Sequence, residues 1–94
     1  QDEWGRTRLS RAAKDGLAII VELLLDAHNV EVNSRDKSGR TSLSLAAENG
    51  HLAVVKLLLD KGDADPESMD HEAKTPLWWA AEKGHDEIVK ILLD

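Results

Sequence analysis

The sequence predicts an all-α solenoid of three helix-turn-helix repeats, because one pattern recurs at a fixed step of 34 residues. A threonine begins each copy, at Thr7, Thr41 and Thr75, and two alanines, a glycine and an apolar run follow at matching offsets. A period between roughly 20 and 50 residues is typical of arrays in which each unit buries its apolar face against its neighbours. We expect a single domain over residues 1–94. Its repeats are expected at about 2–35, 36–69 and 70–94, with the last one truncated.

Composition limits the kinds of protein that this chain can be. It has 94 residues, no cysteine, and three tryptophans as its only aromatic residues, so the core must be aliphatic. The lack of cysteine excludes disulfides and thiol chemistry, and we expect an intracellular, cytoplasmic location. A net charge of −6 argues against a nucleic-acid partner, which would need a basic surface. No apolar stretch approaches the roughly 20 residues of a membrane span, so no membrane partner is expected.

The first helix of each repeat is bounded by recognisable signals. Residues 36–40 form a polar turn in which Gly39 can take a positive φ, which predicts a projecting β-turn loop. Thr41 is then a good N-cap, and in the third repeat Pro76 occupies the first helical position, which proline favours. Gly50 is expected to end this helix as a left-handed C-terminal cap.

The second helix of each repeat is apolar almost all round, which predicts a helix between layers. In the middle repeat its apolar residues are Val54, Val55, Leu57, Leu58 and Leu59. Gly62 is expected to end this helix, and residues 63–66 then lead to the next turn.

These motifs resemble the ankyrin repeat family. The run GRTSLSLAAENGH at 39–51 is similar to the family core G-x-T-P-L-H-x-A-A-x-x-G-H, and TPLWWAAEKGH at 75–85 matches it more closely. The repeats also resemble long ankyrin arrays of fungal receptor-like proteins, in which an NTPase module often precedes the repeats. The family histidine after Pro-Leu is replaced by Ser10, Ser44 and Trp78, so the usual Thr–His hydrogen bond is not expected.

The two ends of the chain are expected to differ. Arg8 and Arg11 make the first repeat more polar, as an N-terminal cap requires. The last repeat lacks an exit turn, so we expect a fragment of a larger protein whose C-terminal face is partly exposed, which favours self-association or fraying of the last helix. That face is expected around Ile88, Ile91 and Leu92.

The resemblance implies that the chain binds a protein partner through the turn tips and the concave groove lined by the first helices. Single charges on such a surface are more often solvated than energetically important, because few residues dominate most interfaces. The candidate contact residues are Trp4, Arg6, Lys37, Ser38, Arg40, Leu45, Glu48, Asn49, His71, Glu72, Lys74, Trp79, Glu82 and Lys83.

Two interpretations of Trp79 remain open at this level. With Leu77 facing the core, a helical turn of about 100° per residue directs Trp79 into the groove, where it would anchor a partner. Trp79→Ala would then weaken partner binding and leave the unfolding midpoint nearly unchanged. Alternatively, Trp79 packs between repeats, and Trp79→Ala would instead cause a large loss of stability. Trp78 is expected to fill the space of the missing histidine. Trp4 either contacts the partner or covers the N-terminus.

The sequence gives no indication of catalysis. The histidines at 28, 51, 71 and 85 lack the spacing of a metal site, so no metal or cofactor is expected. His51 and His85 match a structural family position at which the ring bonds to nearby backbone. We expect a non-enzymatic protein-binding module. The alternatives are a structural or autoinhibitory segment of a larger receptor or signalling NTPase, and a designed repeat scaffold.

Overall fold

The computed structural model describes residues 2–27 and 30–94, and its helices form three antiparallel hairpins. The helices are α1 (Arg8–Asp15), α2 (Ala18–Asp26), α3 (Ser42–Glu48), α4 (Leu52–Asp60), α5 (Pro76–Glu82) and α6 (Asp86–Leu93). The first helices of the repeats pack side by side in one layer, and the second helices pack in another. No strand occurs in the described part of the chain, so the predicted all-α repeat architecture is confirmed.

The predicted signals at the ends of the first helices are confirmed. Thr7, Thr41 and Thr75 are the N-caps, and each side chain accepts a hydrogen bond from the backbone N–H three residues later. Pro76 is the first residue of α5. Gly50 follows α3 with φ of 75°, a left-handed conformation that suits glycine because it lacks a Cβ atom.

Serine takes over part of the role of the missing family histidine. The Ser10 Oγ lies 3.3 Å from the Thr7 Oγ1 and accepts a hydrogen bond from the Thr7 N–H at 2.9 Å. The hydroxyls of Thr41 and Ser44 also lie 3.3 Å apart, and both residues are buried. The Thr–His bond is therefore replaced by a Thr–Ser bond in the first two repeats.

The core lies between the two helix layers and is aliphatic. Ala13 and Ala47 are completely buried, which allows neighbouring first helices to approach closely. In α4, Val54, Val55 and Leu58 are buried, so this helix does lie between neighbouring repeats. The same helix also carries exposed residues on its outer surface, so neighbouring helices cover only part of it.

Two histidines join each repeat to the preceding one. The Nε2 of His51 lies 2.9 Å from the carbonyl oxygen of Lys14, and the Nε2 of His85 lies 3.0 Å from that of Glu48. A carbonyl can only accept, so the Nε2–H tautomer of each ring is the donor. The bond expected between these rings and nearby backbone is present, and it crosses the repeat boundary.

The exit turn of the middle repeat passes through Gly62 directly after the end of α4, as predicted. Asp63, with φ of 53°, takes the left-handed conformation there, and Gly62 does not. Gly62 is needed for a different reason: a Cβ atom on it would lie 2.9 Å from Leu25 Cδ2 and from the Leu58 carbonyl oxygen.

The expected difference between the ends is only partly right at each end. On the outer side of the first repeat, Arg8 and Arg11 are exposed as expected, but Leu17 and Ile20 are exposed beside them. At the other end Ile88 is buried, because it packs inward against the preceding repeat, and Ile91 and Leu92 are half-buried.

Candidate protein-binding surface

An aspartate at the same position of every repeat shapes the three projecting turns. The Oδ1 of Asp2, Asp36 and Asp70 accepts the backbone N–H groups of the residues two and four positions later, at 2.9–3.0 Å. Side chains of this kind hold tight turns because they replace backbone hydrogen bonds. None of these three aspartates is among the candidate contact residues, although their 34-residue spacing is visible in the sequence.

Hydrogen bonds and ion pairs connect each turn to the next. The N–H of Lys37 donates to the carbonyl of Trp4 at 2.9 Å, and the N–H of His71 donates to that of Ser38 at 3.0 Å. The side chains repeat this connection. Arg6 Nε lies 3.4 Å from Asp36 Oδ2, and Arg40 Nε lies 3.7 Å from Asp70 Oδ2. The turns are therefore fixed relative to one another before any partner binds.

Of the three carboxyl groups, that of Asp70 has the most polar partners: two backbone N–H groups, the Trp79 indole and the Arg40 guanidinium. Its burial acts to raise its pKa, but hydrogen bonds from the Lys74 N–H, the Trp79 indole and the Glu72 N–H, and the charge of Arg40, together lower the pKa below 3.8. The Asp70 carboxyl group is therefore ionised at neutral pH, and these hydrogen-bond donors and Arg40 stabilise its negative charge.

The turn tips present side chains that the core does not use. Trp4 is 55% exposed, and the Arg6 guanidinium lies 5.6 Å from the centre of its ring. The other tip candidates are also exposed, and they are Lys37, Ser38, His71 and Glu72. The structure thus places the candidate tip residues along one ridge formed by the three turns.

The expectation of an exposed anchor at Trp79 is wrong. This side chain is 8% exposed, and its indole Nε1–H donates to Asp70 Oδ2 at 3.0 Å. The Arg40 guanidinium covers its ring at 3.7 Å from the centre and also pairs with Glu48. Helical geometry directs Trp79 away from the helix layers as expected, but the turn of its own repeat folds back over it. Trp79 is a packing residue between the second and third repeats.

Leu45 is a second candidate contact residue that does not lie on the surface. It is completely buried, and its carbonyl accepts a hydrogen bond from the Asn49 side chain at 2.8 Å. Trp78 differs from its expectation in the opposite sense, because it is 39% exposed and does not fill a gap in the core. Its ring meets Trp79 edge to face at 5.0 Å, and Lys74 Nζ lies 4.2 Å from its centre.

The remaining candidates divide by exposure. Asn49, Glu82 and Lys83 are exposed at the ends of the first helices. The half-buried ones lie in ion pairs or over tryptophan rings, and they are Arg6, Arg40, Glu48 and Lys74. Exposed and half-buried candidates therefore share one surface, from which Leu45 and Trp79 are excluded.

A polar depression lies between the second and third turns. Its lining residues are Lys37, Ser38, Arg40, Asp70, His71 and Glu72.

Within residues 2–27 and 30–94, no group of three acidic or histidine side chains could hold a metal ion, and His28 lies outside these residues. Over the same residues, no helix has the length and apolar character needed to cross a membrane.

Comparison with known proteins agrees with the repeat architecture. No curated protein matches the sequence significantly. The family model described as ankyrin repeats, in three copies, matches residues 9–94, which is most of the chain. This chain therefore belongs to the ankyrin repeat family.

Proposed function

We propose that this chain is a non-enzymatic protein-binding module that contacts its partner along the ridge of turn tips. Ankyrin repeats are generally protein–protein interaction modules without catalytic activity. The observation that carries the proposal is the contrast within each turn. In each turn one carboxylate oxygen of the aspartate accepts two backbone N–H groups, whereas the tip side chains project outward.

The rigidity of the turns favours binding. Association is weakened by the entropy lost when loops and side chains become ordered, and turns that are already hydrogen-bonded lose little of it. Trp4 is the natural anchor because a tryptophan offers a large contact area and few rotatable bonds. The neighbouring Arg6 guanidinium restricts the ring further.

The charges of the tips define the partner surface. The first tip combines Glu3 with Trp4, the second carries Lys37, and the third carries His71 and Glu72. We infer a partner surface with an apolar recess for Trp4 and an acidic group opposite Lys37. The exposed first-helix residues Asn49, Glu82 and Lys83 would extend this contact. Because the fold needs no disulfide, we place the module inside the cell, in the cytoplasm.

A comparison of two triple variants tests this proposal. Trp4→Ala, Lys37→Ala and His71→Ala together truncate one side chain on each tip. The matched control truncates three exposed residues of the second helices instead: Lys56→Ala, Asp60→Ala and Glu87→Ala. Both variants are expected to retain the circular dichroism and unfolding midpoint of the wild type, because none of the six side chains is buried.

The readout is quantitative mass spectrometry of proteins captured from cell lysate by each immobilised variant. The proposal expects proteins that bind the wild type and the control but are depleted at least about tenfold by the tip variant. Equal capture by all three, or no specific capture, would favour the structural or autoinhibitory segment instead.

A further inference from the structure

We propose that Ser38, on the middle turn tip, is a phosphorylation site for a serine kinase that recognises the basic residues around it. The reaction forms a bond between Ser38 Oγ and the γ-phosphorus of a nucleoside triphosphate. The bond from that phosphorus to the β–γ bridging oxygen breaks, the nucleoside diphosphate leaves, and the hydroxyl proton passes to a carboxylate of the kinase. The modification itself is independent of the proposed function, whereas its effect on partner binding rests on it.

The hydroxyl of Ser38 is more accessible than the other hydroxyls of this protein. The chain has no tyrosine, and among the serines and threonines, all of which lie in residues 2–27 and 30–94, Ser38 is the only exposed one. Thr41 and Ser44, the cap residues that follow it, are buried. The turns before and after Ser38 are both present, so its exposure does not depend on a missing neighbour.

Basic side chains flank this hydroxyl along the chain. Arg35 and Lys37 stand three residues and one residue before Ser38, and both are exposed. Arg40 stands two residues after it, whereas the intervening Asp36 is buried. Kinases select their substrates largely by such charge patterns, and an arginine three residues before the acceptor is the pattern that arginine-directed serine kinases select. Accessibility and charge thus favour the same serine.

The third turn shows that this position accepts a negative charge. Glu72 is the equivalent of Ser38, 34 residues later. The N–H groups of both residues donate at 2.9 Å to the Oδ1 of the aspartate two positions earlier. The residues that follow them, Gly39 and Ala73, both have positive φ, at 80° and 63°. A phosphate on Ser38 therefore suits a turn whose copy already carries a carboxylate.

The same comparison identifies a cation for the phosphate. Glu72 Oε1 lies 3.6 Å from Lys74 Nζ, and the residue equivalent to Lys74 is Arg40. A guanidinium donates strong, charge-assisted hydrogen bonds to phosphate oxygens. Arg40, Lys37 and Ser38 all line the polar depression between the second and third turns, which has a volume of about 390 Å³. A phosphoryl group on Ser38 therefore has both room and positive charge beside it.

The acidic groups near the depression already have partners of their own. Two backbone N–H groups and the Trp79 indole donate to Asp70, and Glu72 pairs with Lys74. Arg40 contacts Glu48 through Nη1 and Asp70 through Nε. A guanidinium has five N–H donors, so the Nη2 donors of Arg40 can serve a phosphate without loss of these contacts.

The second turn has to open for the reaction, because a kinase binds its acceptor in an extended segment. The Ser38 N–H donates to Asp36 Oδ1, and the Ser38 carbonyl accepts the His71 N–H at 3.0 Å. Surface turns open locally at a lower free energy than that of global unfolding. We therefore expect the folded protein to be phosphorylated more slowly than a peptide of residues 31–45, but at the same serine and to completion.

Phosphorylation reverses the charge of the second turn tip. A phosphoserine carries a charge of about −1.5 to −2 at neutral pH, against the single positive charge of Lys37. If the tips bind a partner as proposed, the phosphate repels the acidic group inferred opposite Lys37. We expect the affinity for such a partner to fall at least about tenfold.

A kinase assay tests the site. The folded protein and the peptide of residues 31–45 are incubated with Mg–ATP and a purified serine kinase that selects arginine three residues before the acceptor, and the products are mapped by mass spectrometry. We expect one phosphate, on Ser38, none in Ser38→Ala, and a rate at least about tenfold lower in Arg35→Ala. A folded protein that stays unmodified at Ser38, whether or not the peptide reacts, would overturn the proposal.

Moving the hydroxyl to the third turn separates recognition from exposure. Ser38→Ala combined with Glu72→Ser places the acceptor in the equivalent turn, where Met69 stands three residues before it. We expect this variant to react at least about tenfold more slowly than the wild type, and the addition of Met69→Arg to restore most of the rate. Equal rates in the wild type and the double variant, or no gain from Met69→Arg, would contradict recognition through the arginine.

The contact with Arg40 has its own measurement. The second pKa of a free phosphoserine is about 6, and phosphorus NMR titration follows it in the protein and in the phosphorylated peptide. A neighbouring guanidinium favours the dianion, so we expect a lower pKa in the folded protein than in the peptide. Equal values would show that Arg40 does not reach the phosphate.

The effect on binding is measured by lysate capture with the phosphorylated protein beside the triple tip variant. Proteins that the tip variant loses should also be lost by the phosphorylated protein. If the tip variant loses them and the phosphorylated protein keeps them, the regulatory effect is wrong and the proposed function stands. If neither form loses any protein, the proposed function fails, and the kinase assay still decides whether Ser38 is a phosphorylation site.

Discussion

Replacement of Trp79 by alanine should destabilise this protein strongly. The indole is 8% exposed, donates to the buried carboxylate of Asp70 and lies under the guanidinium of Arg40. Truncation therefore removes apolar burial and leaves a charged group with one donor fewer. Because these contacts join the second and third repeats, their loss should loosen the whole third repeat.

The magnitude follows from the two contributions. Truncation of a buried tryptophan to alanine costs about 3–5 kcal/mol. Trp79→Phe keeps an aromatic ring under Arg40 but removes the Nε1–H, and the loss of a hydrogen bond to a charged group costs about 1.5–3 kcal/mol. Since small domains are stable by only about 5–15 kcal/mol, we expect Trp79→Ala to remove a large part of the total.

Urea unfolding followed by far-ultraviolet circular dichroism measures these losses without relying on tryptophan fluorescence, which the substitutions change directly. Trp78→Ala is the matched control, because Trp78 is the adjacent residue and is 39% exposed. We expect the control to lose about 1 kcal/mol or less.

A Trp79→Ala variant that loses less than about 1 kcal/mol of stability would contradict the packing of this side chain. If such a variant also lost captured partner proteins, Trp79 would be a contact residue after all, and the packing assigned to it would be wrong. Equal losses in Trp79→Ala and Trp78→Ala would show that burial does not distinguish the two side chains.

Two further predictions concern backbone geometry and pH. Gly50→Ala and Gly84→Ala both place alanine at a positive φ, which costs about 1–2 kcal/mol of stability. Only at Gly50 does the new Cβ atom meet the His85 ring, so Gly50→Ala should lose about 1–3 kcal/mol more stability than Gly84→Ala in thermal or urea unfolding. Equal losses in the two variants would contradict this expectation. Because the pKa of Asp70 is lowered in the folded state, its ionised form contributes stability above the unfolded value of 3.8, and this contribution is lost as the pH falls through the lower folded pKa. The stability difference between the wild type and Asp70→Asn should therefore shrink below about pH 4, and a constant difference across acid titration would argue against it.

Local features of this protein could be predicted from the sequence because they depend on a few neighbouring residues. The N-cap Thr41 and the left-handed Gly50 bound α3 as expected, since capping and positive φ are decided by the backbone and side-chain chemistry of single positions. The 34-residue step likewise determined that three helical hairpins stack in order.

The turn aspartates could be predicted only in part from the sequence. Their recurrence was visible in the sequence, but the bonds that they accept are made within a turn whose conformation the sequence pattern did not specify. The second oxygens of Asp36 and Asp70 reach the preceding repeat or Trp79, and these contacts depend on how the turns align.

The exposure of individual side chains was decided by the tertiary structure alone. Periodicity gives the direction of a side chain from its helix, but burial depends on what arrives from elsewhere in the chain. Trp79 is covered because the turn that carries Asp70 folds back onto it, whereas the adjacent Trp78 is 39% exposed. Ile20 is exposed although its equivalents are buried, because its environment is set by a neighbouring repeat and not by its own sequence.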